Sequence, residues 1–584
     1  MFSFINLFFF SITNIDSIHP SNTMHHALDL SEILLRIACY LPDAELAHSA
    51  ATCQHWNALF LPPLYSTISL KCNSKITLQA LEKHARLVRN LSISGNIPAQ
   101  LYWLPYARLT RLCFHYAYRN NRWDLCAELI RSQQDTLEHM SLSMPNKTSI
   151  AVWGAIAGCS RLDSLWVENT FLDAEHFPHF WTACAQVTRL TLQGMDMSWT
   201  RFIPPDDHSS KKDRSRRYIS PRKSNEHVDL DRLWQLEWPP LRVKQLALQM
   251  NNSVEPRNGF QFRLLEKCPE MVSFDWRSFE SDTLDLDLFA QAMTSSTKSP
   301  FPHLSQLSCS SSAVMIDDRV ASIVESLAAP LQLLHVYQPV YANSPRMVRA
   351  IHGHFSSLTS LDLSYPWSMD RVAAQTVLTS APLLEVLVAQ AVSVKGMVQG
   401  APWASTRLRR LSVFFDMGEM AQNEANVVSQ QASEVIYGGV SNVSVSNVST
   451  PSQETLQSVT LATSSQRRAE YTRHVFQQLS RLTNLVQLQM NRNSHLRFEE
   501  RAKQEQFIDF SLRGGLEMLS TLKRLEIVRL PVEKPVCQFY GVEDVEWMLR
   551  AWPRLQGIYG ELHPSPVIYD ELKRMMEGGG VLVV

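Results

Sequence analysis

Two hydrophobic periodicities divide the chain. Between Leu28 and Leu70, Leu30, Ile33, Leu34, Ile37 and Leu41 recur at spacings of three and four, the stripe of a short helix that Ser31 can cap. Pro42 ends that helix, and Asp43 can cap a second through Ala44, Leu46, Ala47, Ala50 and Ala51. A third carries Cys53, Trp56, Leu59 and Phe60 on one side before Pro62 and Pro63, which are expected to break it. Three helices in so few residues bury little surface, so the unit is expected to need a partner.

From Leu87 onward the period changes to L-x-x-L-x-L. Examples are Leu109-Leu112-Phe114, Leu137-Met140-Leu142, Leu162-Leu165-Val167, Leu358-Leu361-Leu363 and Leu485-Leu488-Met490; Leu522-Leu525-Ile527 is read as a late unit, and a looser Leu87-Leu91-Ile93 as the first. The rest of each unit reads helical, as at Asp370 to Leu378 and Val542 to Arg550. Strand and helix alternating at this period predict an α/β fold: a three-helix unit at 27–70, then a solenoid over 71–584 with a curved parallel sheet and helices on its convex side. Three residues before many first leucines stands another apolar residue (Tyr106, Cys159, Cys184, Cys268, Phe301, Phe355, Leu519, Trp552), placed to fill the shared core. In each strand the residues between the leucines face the concave side. Those expected to form a target-binding surface are Trp166, Glu168, Gln193, Gln249, Asp275, Arg277, His335, Tyr337, Asp362, Phe414, Gln489 and Asn491.

Two gaps in the repeat spacing hold insertions. The first, about 202–228, gathers Lys211, Lys212, Arg214, Arg216, Arg217, Arg222 and Lys223 around Asp213, and reads as a loop open to a nuclear-import role. The second, about 417–468, is a Ser-, Asn- and Val-rich low-complexity loop. A helix over Val567 to Met576, stopped by Gly578-Gly579-Gly580, is expected to cap the last repeat. At the other end, within 1–26, Phe2, Phe4, Ile5, Leu7, Phe8, Phe9 and Phe10 mimic a signal peptide without a preceding Lys or Arg. An apolar extension, or a start at Met24, is expected ahead of secretion.

Composition narrows the function. Fifty-five basic against 56 acidic residues, a net charge of -1, give no global pull toward nucleic acid or membrane. Ten cysteines show no C-x-x-C pair, so neither metal nor cofactor is expected, and their core positions suit a reducing compartment. His176 and His179, near Asp173 and Glu175, and His352 and His354 lack a third ligand and are expected to be surface or helix-end residues. No catalytic constellation is present, so a binding protein rather than an enzyme is expected.

The first stretch resembles an F-box of the form common in fungal proteins. The resemblance rests on Leu28, Leu30, Glu32-Ile33-Leu34, Ile37, Tyr40-Leu41, Leu46, Cys53 three residues before Trp56, and Pro62-x-Leu64-Tyr65, with Ser31 where the family usually has proline. The repeats resemble the irregular leucine-rich repeats found behind many F-boxes. This implies a substrate receptor of a Skp-cullin-F-box ubiquitin ligase, cytoplasmic or nuclear, whose F-box docks on the Skp adaptor and through it reaches cullin and RING subunits. The repeats would hold an unidentified protein target. Adaptor contacts carried over from the family are Leu30, Ile33, Leu34, Ile37, Leu41, Leu46 and Trp56, some of which must serve the local core instead. The alternative is a non-catalytic repeat scaffold acting outside a ligase.

Overall fold

The computed structural model describes residues 31–71, 78–95, 108–115, 123–143, 149–170, 172, 175–194, 238–250, 264–278, 301–311, 317–337, 345–363, 371–416, 466, 469–490, 508–530, 540–560, 562–563 and 565–584. Leu28, Leu30, Tyr106, Asp173, Asn491, the N-terminal apolar run and the first insertion lie outside them, as does nearly all of the second. The chain forms two compact units, one holding the described residues up to Val187 and the other those from Thr188. No described helix is long and apolar enough to cross a membrane.

The first unit opens with α1 (Ser31–Ala38), α2 (Asp43–Ala50) and α3 (Gln54–Ser66). Residues four apart on a helix share a face, so Leu34 with Ala38 and Leu46 with Ala50 point inward and meet Phe60. Leu41, Trp56, Leu59 and Leu64 pack partly buried around this small core. The Cys-x-x-Trp signature is local architecture: Cys53 Sγ caps α3 by accepting the Trp56 N–H at 3.5 Å, and the Trp56 ring meets Phe60 edge-on, centroids 5.5 Å apart. Pro62 and Pro63 do not break α3, which continues to Ser66. Proline fixes φ near the helical value, and its cost is the lost N–H; burial of Phe60 and partial burial of Leu64 against the core hold the turn together.

α3 passes directly into β1 (Thr67–Lys71), so the stretch expected at 27–70 as a three-helix unit ends on a strand. After α4 (Leu78–His84) come β2 (Asn90–Ser94), β3 (Arg111–His115), α5 (Trp123–Ser132), β4 (His139–Ser143), α6 (Ile150–Ala157), β5 (Ser164–Glu168) and α7 (Phe177–Gln186). β1 to β5 pair in parallel and in register, aligning Ile68, Leu91, Leu112, Met140 and Leu165. Val88, buried, takes the place expected for Leu87.

The second unit repeats the plan. It contains β6 (Arg189–Gln193), β7 (Gln245–Met250), β8 (Ser273–Ser278), β9 (Gln306–Ser311), α8 (Asp317–Ser326), β10 (Leu333–Tyr337), α9 (Pro345–His352), β11 (Ser360–Asp362) and α10 (Arg371–Ser380). It continues through β12 (Val386–Ser393), α11 (Val394–Gln399), β13 (Arg410–Asp416), β14 (Gln487–Met490), β15 (Ile527–Arg529), α12 (Val542–Ala551), β16 (Gly557–Tyr559), α13 (Pro566–Gly578) and β17 (Leu582–Val583). Every neighbouring pair is parallel, and one buried row runs through Leu190, Leu246, Phe274, Leu307, Leu334, Leu361, Leu387, Leu411, Leu488, Val528 and Ile558.

That row corrects the unit Leu522-Leu525-Ile527. Val528 pairs with Leu488, so the true frame is Leu525-Val528-Leu530, and Ile527 lies half-buried on the other face. Both triplets satisfy the same spacing, and only strand pairing separates them. The C-terminal helix is followed by β17, so the sheet ends on a further strand rather than on the helix.

One carbonyl per repeat sets the register. In most repeats the residue two places before the row residue accepts two N–H groups from the next repeat: Thr110 O from Glu138 and His139, both 2.9 Å, and Glu385 O from Arg409 at 2.8 Å and Arg410 at 3.0 Å; Ser66 O and Gln556 O accept from Arg89 at 2.9 Å and Leu582 at 2.8 Å. Buried polar side chains add pegs: Gln133 Oε1 accepts from Leu109 N, and His354 Nδ1 accepts from Leu331 N at 3.2 Å while Nε2 reaches Val324 O. His354 and His176 are at helix ends as expected but buried, not surface residues.

Cys159, Cys184 and Cys268 occupy the core positions assigned to them. Burial pushes the Cys159 thiol up to about 11 and Cys268 to about 12. At pH 8 about one thiol in a thousand or fewer at these sites is thiolate. A thiol-exchange titration of the native protein is therefore expected to label exposed Cys39 and Cys53 first, with Cys159 and Cys268 reacting only after denaturant is added.

Candidate functional site

The helices of the first unit leave an apolar surface they cannot cover. The run Ile33-Leu34-Leu35 is broader than one stripe, so burying Leu34 sends its neighbours outward. Ile33 and Leu35 are each 41 % exposed, Ile37 39 % and Tyr40 71 %. Of the proposed adaptor contacts, Ile33 and Ile37 are on this surface, and Leu41 and Trp56 are half-buried beside the core. Leu34 and Leu46 are the members of that set that serve the local core, 1 % and 4 % exposed, since the small bundle has few other side chains to fill it. Leu35 and Tyr40 were not selected from the sequence; the signal for Leu35 was the unbroken apolar triplet.

The sheet faces opposite the leucine rows are polar. In the first unit the central line runs Ser69, Ser92, Cys113, Ser141 and Trp166, with Lys71, Ser94, His115, Ser143 and Glu168 beside it. Trp166 is 46 % exposed.

In the second unit, Thr191, Ala247, Asp275, Ser308, His335 and Asp362 form one line, and Gln193, Gln249, Arg277, Ser310 and Tyr337 the next. Arg277 donates to Asp275 Oδ2 through Nε at 3.1 Å and Nη2 at 2.8 Å. His335 Nε2 lies 3.0 Å from Ser360 Oγ, on the strand that follows. Burial holds the His335 pKa below its usual value, with Arg410 acting in the same direction and Asp362 and Asp275 opposing. The polar line stops at β12 and β13, where a bulge separates Val388 from Ala391 and both Val388 and Ser412 are buried. Phe414 and Gln489 are half-buried further on, and Arg529 lies over the Tyr559 ring at 4.9 Å. The described members of the expected target-binding set thus fall into two groups, Trp166 with Glu168 in the first unit and the rest in the second.

Residues 31–71, spanning α1 to β1, match the family model described as F-box-like. No curated protein matches the chain. The first unit therefore begins with an F-box-like domain, a class that commonly binds Skp adaptors.

Lowering of the His335 pKa has a stability consequence. The unfolded chain takes up a proton below the usual histidine pKa while folded His335 resists it, so stability falls as pH drops from about 6.5 toward the lower folded value. His335→Gln is expected to show a smaller loss of Tm between pH 7 and pH 5 than the natural protein, measured by thermal denaturation followed by circular dichroism.

Proposed function

We propose that this chain is the substrate-recognition subunit of a Skp-cullin-F-box ubiquitin ligase, with irregular leucine-rich repeats behind a fungal-type F-box. The reading is carried by the exposed Ile33, Leu35, Ile37 and Tyr40 on an F-box-like domain whose own core is five residues. A patch of large apolar side chains on so small a unit marks a protein-binding surface. The Skp adaptor covers it, and through that adaptor the chain joins cullin and RING subunits in the cytoplasm or nucleus.

The repeats hold the protein target. The chain supplies no bond chemistry; tethering raises the effective concentration of target lysines at the charged conjugating enzyme. Passage of α3 into β1 without a linker supports a stiff connection, within the first unit, between the adaptor surface and the sheet. Arg89 N donating to Ser66 O at 2.9 Å and the stack of Tyr65 on His84, centroids 4.4 Å apart, brace the same junction.

Co-purification with the Skp adaptor tests this. Ile33→Asp and Ile37→Asp are expected to abolish it while leaving the thermal melt nearly unchanged, because both side chains already meet water. Leu34→Asp is expected to abolish it by unfolding the helices, since a charge in that core has no partner. Retention of the adaptor by the Ile33→Asp/Ile37→Asp double variant would sink the proposal. Ubiquitination of a bound partner only when cullin is present separates a ligase receptor from a scaffold.

A further inference from the structure

We infer that Trp166 and Glu168 form a seat for a cationic side chain, an arginine or lysine on an extended segment of a partner protein. Trp166 is the exposed aromatic of the described residues outside the F-box-like domain. Glu168 follows it by two residues in β5, so both side chains stand on the same sheet face. The adjacent strand places only Ser141 beside Trp166 and Ser143 beside Glu168, leaving the indole open on that side.

The carboxylate is positioned. Asn169 Nδ2 donates to Glu168 Oε1 at 3.2 Å, and Asn169 holds φ 50°, the left-handed region that few residues other than glycine adopt. Thr170 Oγ1 donates to Glu168 O at 3.0 Å, pinning the same turn. An indole face and a carboxylate two residues along one strand both attract positive charge, and a planar guanidinium can stack on the first while pairing with the second.

Among the described residues of the first unit no cation fills this seat. Arg161 is paired with Glu138 at 2.8 Å, and the cations on the same face, Arg111 and Lys71, stand on β3 and β1. At about 4.8 Å per strand these are roughly 10 and 19 Å away. The inference rests on the receptor reading only for the partner's being a target; the seat itself stands on local geometry.

The test uses the full chain labelled with 5-fluorotryptophan, the Trp166 resonance being identified by its loss in Trp166→Phe. Titration with the blocked peptide Gly-Ser-Arg-Ser-Gly is expected to shift that resonance saturably. The same peptide with neutral citrulline should leave it still. Glu168→Gln is expected to weaken binding by roughly threefold, and added salt to weaken it further. Equal shifts with arginine and citrulline, or unchanged affinity in Glu168→Gln, would overturn the inference. Because no adaptor is present, that failure would leave the co-purification result untouched.

Discussion

The repeat stack depends on one carbonyl per repeat that, in most repeats, accepts two N–H groups from the repeat that follows. The bond pair lies immediately before each strand, where a slip of one residue would turn the buried leucine row out to water. By tying Glu138 and His139 to Thr110 O, and Arg409 and Arg410 to Glu385 O, it holds each strand in step with its neighbour. Burial of each leucine then adds about 1.5–3 kcal/mol to a register already specified. Units as different as the three-residue β11 and the bulged β12 fit the same stack because the turn, not the strand length, carries the alignment.

The same constraint joins binding to scaffold. Ser66 ends α3, and its carbonyl receives the Arg89 N–H, so the first turn of the repeat ladder is the last turn of the F-box-like domain. A domain too small to be secure alone is thereby anchored on one side by a sheet. Ile33, Leu35, Ile37 and Tyr40 nonetheless stay partly exposed to water, a cost that a bound partner would relieve. The apolar residues of α1 divide accordingly: Leu34 and Ala38 fill the core, while Ile33, Leu35 and Ile37 stay partly exposed.

On the sheet faces the leucine rows dictate only that the alternate residues lie outside. Their chemistry differs between the units: serines leading to an exposed indole in the first, and a half-buried line of Asp275, Ser308, His335 and Asp362 in the second. Such surfaces offer groups for hydrogen bonding and stacking.

The sequence alone determined the two periodicities, the three helices, most of the repeat frame and the packing role of Cys159, Cys184 and Cys268, because each follows from the spacing of apolar residues. It also marked Trp166 and Glu168 as outward-facing. Where two frames share a spacing, as at Leu522 and Leu525, periodicity is silent and strand pairing decided. Prolines in α3 pointed to a break that core packing overrode. The assignment of Leu34 and Leu46 to the core, and of Leu35 and Tyr40 to the surface, belonged to the tertiary structure, since helices apolar on more than one side do not say which side their neighbours will cover.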